Sequence, residues 1–146
     1  MEAKLEQIRQ ALEHSWDEKT SYQMVRQKGN PALGQCYPTA RLIQLFFPEV
    51  EIVEGEVEVG SSIEKHFGNL LVKDSAELHI NLTWQQFPDS AKVKSWWVRE
   101  RETLGDSQET FDRVQLLFNR VDDRLVGHAL FSDQPARSST NISLNQ

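Results

Sequence analysis

The run Tyr37–Phe47, YPTARLIQLFF, constrains the fold more than any other part of the chain. Pro38 suits only the first turn of a helix, where its missing N–H is no loss. Behind it Leu42, Ile43, Leu45, Phe46 and Phe47 occupy most of the circumference, and a helix that is apolar nearly all round has to be buried. The run therefore predicts a central helix, ended by Pro48, on which the remaining elements pack. At its head stands Cys36, the only cysteine, preceded by the turn-forming residues Gly29-Asn30-Pro31 and Gly34.

A central helix needs a domain large enough to cover it. The chain has 146 residues, 38% hydrophobic and 26% charged, which suits one globular domain that buries about two thirds of its unfolded surface. Its net charge is −6 with no cluster of Lys and Arg, so binding to a phosphate backbone is disfavoured and no nucleic-acid partner is expected. The segment MEAKLEQIRQ lacks the apolar core of a leader, and no run approaches a membrane span, so no membrane partner is expected and the reading is a soluble cytoplasmic protein. A lone cysteine cannot close an internal disulfide, which agrees with a reducing compartment. Oligomeric state has no signature in the sequence.

Leu5, Ile8, Leu12 and Trp16 share one helical face over residues 2 to 16. Residues 50 to 59 alternate Val53, Val57 and Val59 against Glu54, Glu56 and Glu58, a strand with one solvated face. KHFGNLLVK and ELHINL flank Asp74-Ser75-Ala76 and predict an antiparallel hairpin. Thr83-Trp84-Gln85-Gln86 has the form of a capping box and predicts a short helix. AKVKSWWVRERE fits a strand or a helix; its Trp96 and Trp97, with Trp84, are expected in the core or at a subunit contact. Phe111, Val114, Leu117, Phe118 and Val121 predict a last helix to about Val121. Residues 1–131 form the expected domain, and the polar tail 132–146 is expected to be disordered.

Cys36 at a helix N-terminus would face unpaired N–H groups and the positive end of the macrodipole, both of which favour a thiolate nucleophile. Gln35 beside it could donate its side-chain amide to an oxyanion, together with the Cys36 backbone N–H. A small buried cysteine at a helix start is the plain alternative, and a nucleophile requires a histidine partner. His14 falls on the polar side of the first helix, and His128 has no informative context. His66 and His79 lie on the two hairpin strands. A turn at Lys73 to Ala76 sets Gly68 opposite Asn81 and makes His66 and Asn81 diagonal neighbours, within reach of each other. An imidazole held by a side-chain carbonyl on one nitrogen, with the other toward a thiol, activates cysteine nucleophiles.

The segments NPALGQC, HFGN and INLTWQQF resemble those of the YunG-like family of small bacterial proteins, over about residues 14 to 121. That family carries Asp where this chain has Asn81 and Trp where it has Gly68. Gly-Gln-Cys at the head of a helix is also similar to transglutaminases, whose papain-like fold orders Cys, His and Asp along the chain. The resemblance implies an α+β domain of papain-like or transglutaminase-like topology, with the Cys-headed helix on a small antiparallel sheet. The expected activity is cysteine-dependent hydrolysis or acyl transfer at an amide, peptide or thioester, with Cys36, His66, Asn81 and Gln35 as the catalytic set and a small molecule or peptide as substrate. A non-catalytic binding or regulatory module on the same frame is the competing expectation. A zinc site of Cys36, His66 and His79 lacks any paired-ligand spacing, so no cofactor is expected.

Overall fold

A computed structural model of the chain describes residues 1–22 and 29–131, with side chains described to residue 127. The order is α1 (Glu2–Glu13), α2 (Cys36–Phe46), β1 (Glu51–Val59), β2 (Ser62–Lys73), β3 (Ala76–Ile80), a 3-10 turn at Trp84–Gln86, β4 (Lys92–Arg99), a second 3-10 turn at Arg101–Thr103, and α3 (Gln108–Phe131). The class is α+β, as expected: three helices on a four-stranded antiparallel sheet of order β3-β2-β1-β4. The expected tail at 132–146 and His128's side chain fall outside the described residues.

The apolar stripes of the three helices converge. Leu5, Ile8 and Leu12 of α1, Leu42 and Ile43 of α2, and Leu117 and Val121 of α3 form one core with Val50, Ile80 and Leu82. Burying each of the larger aliphatic side chains contributes about 1.5–3 kcal/mol. The first helix stops at Glu13, three residues short of the expected end, yet Trp16 remains in the core and its indole N–H donates to Thr39 Oγ1 at 3.0 Å. The central helix is less enclosed than its composition implies, because Leu45 is 54% exposed. Phe46 stacks on Phe118, joining α2 to α3. The last helix continues ten residues past Val121, through a stretch in which Val126 is exposed and the apolar periodicity fades.

On the sheet, α2 covers the face that carries Phe67 and Asn69. Asn69 Nδ2 donates to the Ala40 carbonyl at 3.0 Å, and the Phe67 ring meets Tyr37 edge-on at 4.8 Å. Side chains alternate along a strand, so His66 and Gly68 of β2 point to the opposite face. That face is concave. His79 on β3 and Trp96 on β4 touch with ring centroids 4.6 Å apart, although their strands are the two outermost of the sheet. A register shift between Glu56 and Val57 against β4 supplies a bulge, which bends a strand and increases its twist.

The sheet corrects one expectation. The acidic side of β1 is not wholly solvated: Glu54 is buried and accepts from Arg99 Nη1 at 2.7 Å, because it lies on the helix side with an arginine of the neighbouring strand to neutralise it. Trp96 and Trp97, expected in the core or at a subunit contact, are 38% and 40% exposed on the edge strand β4.

Candidate functional site

The residues ahead of α2 are held by the chain's own hydrogen bonds. Gly34 has φ +74°, and a Cβ there would stand 2.3 Å from Ser21 Oγ, so only glycine fits the turn. Gln35 is buried; its Nε2 donates to the Asp17 carbonyl at 2.9 Å, and its Oε1 accepts from Thr20 Oγ1 at 2.9 Å. Its carboxamide therefore ties the loop to α2 and points away from the thiol cleft, and the oxyanion role expected of it is corrected to a structural one. The physical reason is that a buried carboxamide needs partners, and the Asp17 carbonyl and the Thr20 hydroxyl supply them.

Cys36 opens into a cleft of about 710 Å³ whose walls include Tyr37, Phe67, Gln86, Arg99 and Asp106. Burial pushes the thiol pKa up, while the backbone N–H groups of Phe67, Tyr37 and Cys36 itself favour the thiolate and act against that rise. The first turn of α2 is clamped from the other side: Tyr37 Oη donates to Asp106 Oδ1, and Arg41 Nε donates to Asp106 Oδ2 at 2.8 Å. Burial, followed by the Asp106 carboxylate, holds the Tyr37 hydroxyl well above its ordinary pKa and keeps it a donor.

The hairpin has the register deduced from its turn. Lys73 pairs with Ala76 and Asn69 with Ile80, and Asp74 and Ser75 take φ of 52° and 67°, as a two-residue hairpin turn with left-handed positions requires. Continued one position further, this register sets Gly68 opposite Asn81 and makes His66 its diagonal neighbour, and the imidazole Nε2 lies 2.8 Å from Asn81 Oδ1. The rings of Phe87 and Trp84 meet the imidazole edge-on at 5.0 and 5.8 Å. Burial lowers the His66 pKa to about 4, so the ring is neutral at pH 7. A neutral ring that donates Nε2–H to a carbonyl keeps its lone pair on Nδ1, and Gln86 Nε2 reaches that nitrogen at 3.4 Å. Gly68 leaves room where a Cβ would come within 3.1 Å of the Ile80 carbonyl, beside a cavity of about 40 Å³ lined by His66, His79 and Asn81.

The structure thus brings His66 and Asn81 together, sets Cys36 one residue away along β2, and leaves Gln35 out. The thiol lies against the Phe67 amide while His66 points to the other face, and among the described residues Cys36 and His66 share no hydrogen bond. Gln86 spans the two, since it touches the imidazole and borders the thiol cleft. The residue spacing alone gives it a different role. In a capping box its side chain would return to the Thr83 N–H; instead Nε2 donates to the Thr83 carbonyl at 3.1 Å, and only a single 3-10 turn forms. The Phe67 amide carries no sequence signal, because any residue supplies one. Among the described residues no three His, Cys, Asp or Glu side chains gather as a metal ligand set; His66 and His79 face the small cavity and Cys36 the cleft.

Among the described residues no helix is long and apolar enough to cross a membrane. No curated protein and no solved structure matched the chain. The family model described as YunG protein matches residues 4–126, and the chain belongs to the YunG family.

Proposed function

We propose that the protein is a cysteine-dependent hydrolase or acyl transferase acting on an amide, peptide or thioester, on a frame of papain-like or transglutaminase-like type. The observation that carries this reading is the division of His66: Asn81 holds Nε2 at 2.8 Å, and Nδ1 is directed to Gln86, the residue that borders the Cys36 cleft. In the first step the Cys36 sulfur attacks the substrate carbonyl carbon and its proton passes to His66 Nδ1. Asn81 Oδ1 accepts from Nε2–H throughout and steadies the imidazolium that results. The Phe67 and Cys36 backbone N–H groups, which face the sulfur, are the donors beside the attacked carbonyl and stabilise the oxyanion on its oxygen in place of Gln35. Collapse of the tetrahedral species breaks the bond to the leaving group, which takes the proton back from His66. The thioester left on Cys36 is then cleaved by water or by an acceptor nucleophile, activated by the same nitrogen.

Burial disfavours charge on both partners, so the resting pair is thiol and neutral imidazole rather than a preformed ion pair. The same observation, with the two side chains on different faces of β2, supports the competing reading of a non-catalytic binding or regulatory module. An activity-based thiol probe, followed by a screen of amide and thioester substrates, separates the two. The catalytic reading expects labelling and turnover in the wild type and loss of both in Cys36→Ser and of turnover in His66→Ala. Labelling without turnover of any substrate, at a rate that His66→Ala leaves unchanged, would establish the module.

A further inference from the structure

Among the described residues Gln86 is the side chain that touches the imidazole and also lines the thiol cleft, and its own bonds are arranged as a switch requires. One hydrogen of its Nε2 goes to the Thr83 carbonyl at 3.1 Å, a bond within its own turn. The other goes to His66 Nδ1 at 3.4 Å, the long end of the hydrogen-bond range and so the easier to exchange. That contact occupies the lone pair through which His66 would act on any proton in the cleft. The backbone carbonyl of Gln86 accepts from Asn30 Nδ2 at 3.0 Å, which ties the 3-10 turn to the chain just ahead of Cys36. Asn30 Oδ1 is meanwhile buried with no partner among the described residues.

We propose that Gln86 is a substrate-responsive latch, a positioning residue whose carboxamide holds His66 Nδ1 in the resting arrangement and transfers that hydrogen bond to the carbonyl oxygen of an acyl substrate entering the cleft. The exchange keeps the bonding balanced: the amide N–H leaves a ring nitrogen for a carbonyl oxygen, and the ring nitrogen becomes free to take the Cys36 proton. Substrate thereby releases its own base, and the thiol stays unactivated toward other electrophiles. The inference rests on the Cys36–His66 reading above, so its test must tell the failure of one from the failure of the other.

The experiment compares wild type, Gln86→Ala, His66→Ala and the double variant in two readouts. The first is the rate of Cys36 carbamidomethylation by iodoacetamide from pH 5 to 9; the second is the ¹⁵N resonance of His66 Nδ1. The latch predicts that Gln86→Ala moves the Nδ1 resonance and speeds alkylation near pH 7 by about threefold to tenfold, the range corresponding to one ordinary hydrogen bond. The gain should vanish in the double variant. Gln86→Glu, which keeps the size of the side chain but accepts where Gln donates, should shift His66 protonation to higher pH and guards against a misfolded Ala variant. Equal alkylation of wild type and Gln86→Ala, both faster than His66→Ala, would overturn the latch and leave the Cys36–His66 reading standing. A gain that survives in the double variant would overturn it as well, since Gln86 would then only shield the sulfur. Identical rates in all four proteins would remove both.

Discussion

His66 has two nitrogens and two carboxamides, and the chemistry proposed here depends on which carboxamide holds which nitrogen. Asn81 fixes the proton on Nε2 at 2.8 Å, leaving Nδ1 as the acceptor. Burial against Trp84 and Phe87 lowers the pKa from 6.5 to about 4, which makes the native fold sensitive to acid at His66. In the window between those two values the unfolded chain binds a proton that the native chain does not, so stability is complete above about pH 6.5 and falls as pH drops toward 4. The loss attributable to this one residue is about 3 kcal/mol, and urea unfolding of wild type and His66→Gln at pH 7 and pH 4 should show a smaller acid loss in the variant. Asn81→Asp sets a carboxylate on Nε2 and favours the imidazolium. NMR titration should find the His66 pKa raised and the acid loss correspondingly reduced; an unmoved pKa would mean that the contact at Asn81 does not persist in solution.

Among the elements, the hairpin was the most legible in the sequence, because a two-residue turn fixes pairing and pairing fixes which side chains meet. His66 and Asn81 follow from that count alone. The head of α2 was legible for a similar reason: Pro38 fixes the backbone of a first helical turn, and Gly34 admits the left-handed conformation that the preceding turn takes. Gly34→Ala is accordingly expected to destabilise the fold by about 1–3 kcal/mol, since a Cβ would collide with Ser21 Oγ at 2.3 Å and the left-handed φ adds strain. Thermal melts check this, and an unchanged Tm would show that the turn relaxes around the added methyl. Gln35 and Gln86 were misassigned from sequence for a common physical cause. A carboxamide serves whichever acceptor the fold brings near, and neither the Asp17 carbonyl nor His66 Nδ1 is a sequence neighbour of the residue it engages.

Over the whole molecule, the two faces of the sheet do different work. One receives the helices and their shared core; the other curls until β3 and β4 touch through His79 and Trp96, which encloses the His66–Asn81 pair. That curl could not be read from the strand patterns, because alternation reports which face a residue occupies and says nothing of how far the sheet bends. The imidazole lines the small cavity and the thiol the cleft, and Gln86 borders the cleft and touches the imidazole. The N-terminal end of α2 is held at this junction by the Asp106 clamp on Tyr37 and Arg41. Asp106→Asn should weaken that clamp by about 1–3 kcal/mol, the range of charge-assisted hydrogen bonds, and slow any Cys36 chemistry while leaving the His66–Asn81 bond intact. Denaturant unfolding and the His66 ¹⁵N spectrum would together distinguish this local loosening from a general loss of structure.

The account turns on Cys36 and His66 acting as one unit, and the most direct measurement is acylation of the protein by p-nitrophenyl acetate, followed by nitrophenolate release and intact mass. The account predicts a stoichiometric burst that leaves an acetyl group on Cys36, abolished in Cys36→Ser and slowed about a hundredfold or more in His66→Ala, the usual scale of a lost general base. An acetylation rate that is the same with and without the His66 imidazole would contradict it.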